Sequence, residues 1–260
     1  MDNRIKKIAI LVDGDNAQAK LLKSILEEVS KYGKVTIRRI YGDWTIPQMS
    51  SWKDKLNDLS FNPIQKFSYT TGKNSTDSSL IIDAMDILHD KIVDGFCIVS
   101  SDSDYTGLAK RIREDGVFVM GIGEKKTPKA FVQSCEVFTY CENISEDTVL
   151  EEQTNQETIK LPTHKSTKLK IESQQNRKAN TKSYSPIDIN IINKAFDMST
   201  NEEDEVLIAT IGGNLRKIDP SFDSRTYGFK NLSQLFSSLT QYEVIKHEVG
   251  GLNHPLIKKK

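Results

Sequence analysis

The sequence has no excess charge of either sign, because 36 Lys and Arg residues balance 36 Asp and Glu residues. The chain as a whole therefore has no general attraction for nucleic acid or for an anionic membrane surface. If the partner is a polyanion, it has to be bound by a local group of basic residues rather than by the overall charge of the protein.

Cysteine is scarce, and no apolar run is long. The three cysteines, Cys97, Cys135 and Cys141, are odd in number and form no CxxC pair, which speaks against a disulfide framework and a zinc knuckle. Near the N-terminus, the apolar run that starts at Ile8 ends at Asp13, so it is too short for a membrane span or a signal peptide. We therefore expect a cytoplasmic protein without a membrane partner.

What the sequence does contain, between residues 7 and 140, is an alternation of short apolar runs with segments of helical period. The run "IAILV" is followed by a segment in which Leu22, Ile25 and Val29 recur at helical spacing. Repeated strand, helix and strand units are typical of a parallel sheet with helices on both faces. We predict an α/β domain over residues 1–142.

Two further segments complete the chain. Residues 143–183 are rich in Glu, Gln, Asn, Lys, Ser and Thr without a sustained period, which predicts a flexible linker that acts only as a tether. Residues 184–260 contain three helix-like segments and then a hairpin pattern that turns at Gly250 and Gly251. This order predicts a small α+β winged-helix domain.

Acidic residues follow two of the predicted strands. Asp13 and Asp15 come after "IAILV", Asp102 and Asp104 come after "FCIVSS", and Asp77 stands at the start of a predicted helix. Parallel strands deliver the residues that follow them to one edge of the sheet. Carboxylates that converge there repel each other unless a cation neutralises them or some of them take up protons. Oxygen ligands without neighbouring His or Cys favour Mg²⁺ or Mn²⁺ over zinc.

The same acids have an ordinary structural interpretation. Asp and Ser between a strand and a helix are common helix N-caps, and "SSDSDYTGL" would supply one without any chemistry. Asp83 and Asp86 most often belong to the solvated face of an amphipathic helix. The metal-site hypothesis depends on the acids at two strand ends occurring together with Asp77 at a helix start.

Several stretches resemble known families. "ILVDGDNAQAKLL", "FSYTTGKNSTDSSLIIDAMDIL" and "GFCIVSSDSDYTGLAKRI" resemble the NYN domain, a branch of the PIN-like metal-dependent ribonucleases, and "FDSRTYGFKNLSQLFSSL" resembles the OST-HTH, or LOTUS, domain. The resemblance implies a PIN-like fold and RNA hydrolysis with Mg²⁺ or Mn²⁺. It assigns catalysis and metal binding to Asp13, Asp77, Asp102 and Asp104. It also implies that RNA is the partner, with a protein partner of the C-terminal domain as the alternative.

Five residues are predicted to contact the substrate. The resemblance implies this role for Asn16, whose amide matches part of the family signature, and Ser101 stands in "SSDSD" where many relatives have glycine. Lys73 is included because it lies just before the acid at the helix start. Lys125 and Lys126 follow a predicted parallel strand, so their loop should open onto the same edge and could bind phosphate.

Two other functions fit the sequence less well. A haloacid-dehalogenase-type phosphatase also has an Asp-x-Asp after its first strand, with Asp13 as nucleophile and Asp15 as acid–base, but "DGDNA" fits that motif poorly. A non-catalytic adaptor would bind RNA without cleaving it. Phosphate release from a small ester would favour the phosphatase, whereas RNA binding without cleavage in Mn²⁺ would favour the adaptor.

Overall fold

The computed structural model shows an N-terminal domain built on a six-stranded sheet and a smaller C-terminal domain. It describes residues 7–67, 75–145, 184–200, 205–249 and 252–260. No helix in these ranges is both long enough and apolar enough to cross a lipid bilayer.

All neighbouring strands of the large sheet are parallel, and their order is β3-β2-β1-β4-β5-β6. The strands are β1 (Lys7–Asp13), β2 (Lys34–Gly42), β3 (Asn62–Gln65), β4 (Gly95–Val99), β5 (Phe118–Gly123) and β6 (Val137–Tyr140). All five residues of β4 are buried, because this central strand is covered on both faces, as its unbroken apolar run indicates. The predicted parallel sheet is confirmed.

Helices cover both faces of the sheet, as predicted. The helices are α1 (Leu22–Ser30), α2 (Lys53–Leu59), α3 (Ser75–Asp90), α4 (Thr106–Glu114) and α5 (Lys129–Ser134). Helices α1 and α2 pack on one face, and α3, α4 and α5 pack on the other. The chain changes faces after β3, and it then returns to the centre of the sheet as β4, beside β1. In sheets with this order, the carboxyl ends of these two central strands border the crevice in which ligands bind.

The C-terminal domain combines three helices with short antiparallel strands around its own core. Its elements are α6 (Ile189–Asp197), β7 (Glu205–Leu207), α7 (Ile208–Ile218), α8 (Leu232–Ser238), β8 (Tyr242–Ile245), β9 (Glu248–Val249), β10 (Leu252–Asn253) and β11 (Leu256–Lys259). Strands β7, β11 and β8 form one antiparallel sheet, and β9 pairs with β10. The small α+β domain is therefore confirmed, while the predicted turn at Gly250 and Gly251 lies outside the described residues.

The connection between the domains differs in one respect from the sequence-based expectation. Residues 146–183 lie outside the described part of the chain, so the flexible linker and the boundaries 1–142, 143–183 and 184–260 stay predictions. The two domains nevertheless touch directly, because Arg225 of the C-terminal domain forms an ion pair with Glu28 of α1. A polar linker predicts nothing about such contacts, since they depend on surfaces that are distant in sequence.

Candidate metal centre at the carboxyl edge of the sheet

Asp13, the last residue of β1, is fully buried at the carboxyl edge of the sheet. The Asn16 side-chain amide donates to Asp13 Oδ2 at 2.8 Å, and the Ser100 hydroxyl donates to the same oxygen at 2.9 Å. Burial raises the pKa of Asp13, the two hydrogen bonds oppose this, and the negative charges of Asp77 and Asp15 add to it. The acid is thus held in one position by the segments that follow β1 and β4.

Two glycines let the backbone close up around this edge. A Cβ atom on Gly14 would lie 2.7 Å from the carbonyl oxygen of Tyr41, and one on Gly123 would lie 2.5 Å from that of Ser100. Both distances are shorter than real side chains allow, so the close approach of neighbouring strand ends requires glycine at these positions.

The segment after β4 folds into a chain of hydrogen bonds that starts at Ser100. The amide of Asp102 donates to Ser100 Oγ at 3.1 Å, and the amide of Asp104 donates to Asp102 Oδ1 at 2.9 Å. Asp102 is therefore the N-cap of the short 3-10 helix Ser103–Tyr105, as the structural interpretation of "SSDSDYTGL" predicted. The cap uses only one oxygen of Asp102 in this bond, so capping and metal binding are compatible.

Asp77 reaches the same place from the first turn of α3. The hydroxyl of Tyr105, a fully buried side chain, donates to Asp77 Oδ1 at 2.7 Å. Burial is the largest cause that raises the pKa of Asp77, the hydrogen bond from Tyr105 lowers it, and the charges of Asp102 and Asp104 raise it further. Both Asp77 and Asp13 therefore carry unfavourable negative charge in the absence of a cation.

Three of the four predicted metal ligands form one cluster. Asp77, Asp102 and Asp104 each offer a carboxylate oxygen, and these three atoms lie within 4.8 Å of one another. Asp77 and Asp102 are half-buried and Asp104 is exposed, so solvent reaches the cluster from one side. Asp13 lies outside this group of three, although it is close enough to Asp77 for their charges to interact. The donor set consists only of oxygen atoms, which suits Mg²⁺ or Mn²⁺.

Four of the predicted substrate-binding residues lie around this edge, and the fifth, Lys73, falls outside the described residues. Asn16 is bonded to Asp13, and Ser101 accepts a hydrogen bond from the amide of Glu124 at 2.9 Å. A small pocket is lined by Asn16, Gln18, Ser100, Ser101, Glu124 and Cys141, among others. Asn16 and Ser100 connect this pocket to Asp13 through their hydrogen bonds, whereas Asp77, Asp102 and Asp104 do not line it.

Lys125 and Lys126 are exposed in the loop that follows β5. The ammonium group of Lys126 lies 2.7 Å from Glu124, and the backbone amide of Lys125 donates to Glu142 at 2.9 Å. Both side chains are therefore accessible at the carboxyl edge, while contacts to neighbouring acids hold the loop itself in place. Their role in binding substrate stays a prediction.

Asp83 has a different role from the acids of the cluster. Its carboxylate forms an ion pair with Arg39 and accepts a hydrogen bond from the hydroxyl of Tyr41, so it ties α3 to β2. Asp83 is thus a structural residue rather than a member of the acidic cluster, but it is half-buried between α3 and β2, so the expectation that it belongs to a solvated helix face is wrong.

Three hydroxyl groups at the site were not identified from the sequence. Ser100 bonds Asp13, Tyr105 bonds Asp77, and Thr76 donates to Asp15 Oδ2 at 2.8 Å. Ser100 and Tyr105 flank the "SDSD" run, which is the one signal that could have drawn attention to them. Their partners are 87 and 28 residues away in sequence, so no local pattern indicates these bonds.

Comparison with known protein families gives two matches. A model of the NYN domain matches residues 7–146, and a model of the OST-HTH/LOTUS domain matches residues 188–254. The first match includes every predicted acidic residue of the site. The second covers most of the C-terminal domain.

Similar individual proteins were also found. An uncharacterized protein of Methanocaldococcus jannaschii is 28% identical over 180 residues, which are 67% of this chain and 68% of that protein. A crystal structure of a protein of unknown function from Vibrio parahaemolyticus is 21% identical, with a TM-score of 0.45, and covers 54% of this chain and 95% of that one. A solution structure of an uncharacterized protein from Nitrosomonas europaea is 24% identical, with a TM-score of 0.28, and covers 36% of this chain and 92% of that one.

Proposed function

We propose that this chain, which belongs to the NYN domain family, is a Mg²⁺- or Mn²⁺-dependent ribonuclease that hydrolyses RNA phosphodiester bonds. The NYN family is a PIN-like nuclease family, and the OST-HTH/LOTUS domain is an RNA-binding module. The observation that carries the proposal is the cluster of Asp77, Asp102 and Asp104 at the carboxyl edge of the sheet. The chain combines an acidic cluster at this edge with an RNA-binding domain. This combination supports nuclease chemistry more than it supports a purely structural role of the acids.

The charges of the cluster support the requirement for a cation. Three carboxylates within 4.8 Å of one another repel each other, and the raised pKa of Asp77 is one consequence. A hard divalent cation relieves this repulsion and accepts carboxylate oxygens as ligands. When bound, such an ion activates water and stabilises the negative charge that develops on a phosphate during in-line displacement.

The residues of the chain have separate tasks in this proposal. Asp77, Asp102 and Asp104 hold the ion, and Tyr105 fixes the orientation of the Asp77 carboxylate through its buried hydroxyl. Asp13, the fourth proposed ligand, is close enough to Asp77 for their charges to interact, and Asn16 and Ser100 restrain its carboxylate. Lys125, Lys126 and, by sequence, Lys73 attract the RNA backbone to this edge.

The contacts of Asp13 argue against the phosphatase alternative. Asp13 Oδ2 accepts two hydrogen bonds, Oδ1 accepts a third from the backbone amide of Asp15, and the side chain is fully buried. A nucleophilic aspartate must be accessible to the phosphorus atom of its substrate, whereas the side chain of Asp13 is fully buried. The three free cysteines support a reducing compartment, and we propose that the protein acts in the cytoplasm.

The experiment that tests the proposal uses the purified full chain with single-stranded, double-stranded and structured RNA and with matching DNA. Each substrate is incubated with EDTA, with Mg²⁺ and with Mn²⁺, and the products are separated on a denaturing gel. We expect cleavage of RNA that requires the metal and stops in EDTA. Cleavage that persists in EDTA would refute the metal mechanism, and RNA binding without cleavage in either metal would favour the adaptor.

A further inference from the structure

A buried ion pair joins the two domains. Glu28 lies in α1 of the N-terminal domain, and only 5% of its surface is exposed. Arg225 of the C-terminal domain donates to Glu28 Oε2 at 3.0 Å through Nη1 and to Oε1 at 2.9 Å through Nη2. Paired hydrogen bonds between a guanidinium and a carboxylate are stronger and more directional than a single charged contact. This pair therefore fixes an orientation as well as a distance.

Arg225 is held in place by a neighbour in its own domain. Asp223 caps the 3-10 helix Ser224–Tyr227, and its carboxylate accepts hydrogen bonds from Arg225 Nε at 3.0 Å and from Nη2 at 2.5 Å. The guanidinium is thus oriented before it meets Glu28, so less side-chain freedom is lost when the domains associate. Glu28 has an exposed second partner in Lys31, which belongs to its own domain.

Three more contacts connect the same surfaces. The Asn143 side-chain amide donates to the Thr226 hydroxyl at 2.8 Å, and the backbone amide of Phe138, on β6, donates to the carbonyl of Pro220 at 2.8 Å. The Arg216 guanidinium lies 5.8 Å from the centre of the Tyr32 ring, within the range of a cation–π interaction. On the C-terminal side, all these contacts come from residues 216–226.

The hydrophobic cores of the two domains remain separate. The core cluster on the α1 side of the large sheet and the core cluster of the C-terminal domain share no residue. The interface described by these contacts is polar, and polar interfaces between domains resemble those of complexes that form and dissociate. Each domain can therefore keep its own core while the contact between them opens or closes.

We propose that the C-terminal domain docks on the N-terminal domain in solution through Glu28 and Arg225, so that the two domains keep one relative orientation instead of being joined only by the polar segment between them. Asn143 makes one of the contacts, and Cys141, two positions earlier, lines the pocket beside Ser100. The docked domain is thus joined to the edge that carries the cluster by a short stretch of ordered chain. The docking does not depend on the proposed function.

The test separates the domains covalently and asks whether they stay together. A recognition sequence for a specific protease is inserted in the polar segment 146–183 of the full chain, the purified protein is cut, and the products are run on a sizing column at low salt. We expect the two fragments to elute together at low salt as a complex that contains one copy of each. They should separate at high salt, because the contact is ionic. Fragments that separate at low salt would overturn the proposal, as would a complex of twice the expected mass, which would indicate exchange between two chains.

Substitutions on each domain test whether the Glu28–Arg225 ion pair holds the fragments together. Arg225→Ala should make the cut fragments separate at low salt, and Glu28→Gln, on the other domain, should do the same without disturbing the cap at Asp223. Lys23→Ala is the matched control, since it also removes one positive charge but breaks only the exposed Lys23–Glu27 pair within α1. Fragments of both interface variants that stay together as in the control would refute the role of this ion pair.

A second measurement covers the case in which Arg225→Ala unfolds the C-terminal domain. In the uncut protein, hydrogen exchange at the Phe138 amide reports docking from the N-terminal domain, because its acceptor is Pro220. We expect Glu28→Gln to speed exchange at this amide while amides in β4 stay protected. Unchanged exchange at Phe138 would contradict the docking proposal, and neither readout depends on RNA cleavage.

Discussion

Ser100 Oγ lies 2.9 Å from Asp13 Oδ2, so the end of β4 holds the acid at the end of β1. The same oxygen accepts the amide of Asp102 at 3.1 Å, which links the buried acid to the metal-binding segment. We expect Ser100→Ala to lower RNA cleavage by about 10-fold, the lower end of what residues that support metal ligands contribute. The measurement is the initial cleavage rate in Mn²⁺. Ser103→Ala, an exposed serine of the same run, should leave the rate unchanged, and equal rates for both variants would contradict this role of Ser100.

Asp102→Asn should abolish metal-dependent cleavage without unfolding the protein. Asparagine keeps the size and the capping oxygen of the side chain, but it removes one of the negative charges that balance the charge of a divalent ion. We expect the rate to fall by well over about 100-fold, beyond the roughly 10- to 100-fold effect of a supporting residue. Circular dichroism checks the fold. Asp86→Asn, on the exposed side of α3, is the control, and near-normal turnover of Asp102→Asn at saturating metal would mean that Asp102 is only a helix cap.

Tyr105→Phe should weaken metal binding and leave the chemistry at saturating metal largely intact. The variant removes only the hydroxyl that donates to Asp77 at 2.7 Å, while the buried ring keeps its packing. We expect about 10-fold more Mn²⁺ to be needed for half-maximal cleavage. Tyr140→Phe removes a hydroxyl elsewhere in the same domain and should not shift the metal titration. An unchanged titration for Tyr105→Phe would show that Asp77 needs no such support.

The raised pKa of Asp77 predicts how the stability of the metal-free protein depends on pH. Because its pKa in the folded protein lies above the ordinary value of 3.8, the folded state holds this proton more tightly than the unfolded state. The stability that the protonated carboxyl contributes is therefore lost as the pH rises from 3.8 through the higher pKa of the folded protein. Asp77→Asn should raise the melting temperature at neutral pH in EDTA, and the gain should vanish in acid below that ordinary value.

The same variant should respond less to Mn²⁺ than the wild-type protein, since it lacks one ligand. Differential scanning calorimetry with and without the metal measures both effects. A variant that is less stable than wild type in EDTA at neutral pH would contradict the predicted strain at this carboxylate.

Replacing Lys125 and Lys126 with alanine should weaken RNA binding in a way that depends on salt and not on RNA sequence. If both side chains contact phosphates, the slope of log affinity against log salt should become shallower by about 1.4, at about 0.7 for each contact to a single strand. The double replacement of Lys7 and Lys34 is the control, because these residues begin β1 and β2 at the opposite edge of the sheet. An equal change of slope in both double variants would mean that the loop after β5 has no special role.

Much of the fold was predictable because the signals are local. The unbroken apolar run of β4 indicates a strand buried on both faces, and helical spacing places α1 after β1. The acids Asp13 and Asp102 directly follow strands, and parallel strands bring such residues to one edge whatever the details of packing. The sequence thus predicted the class of the fold, the edge that carries the site and the acids gathered there.

The tertiary structure decided which of these groups touch. Asp13 meets Ser100 across 87 residues, and Glu28 meets Arg225 across 197, distances at which no periodicity or spacing carries information. It also placed Asp13 outside the group of three acids whose oxygens lie within 4.8 Å of one another, and it brought the C-terminal domain against α1. Composition determined that the segment between the domains is polar, but docking depends on the shape and charge of two folded surfaces, which exist only after each core has formed.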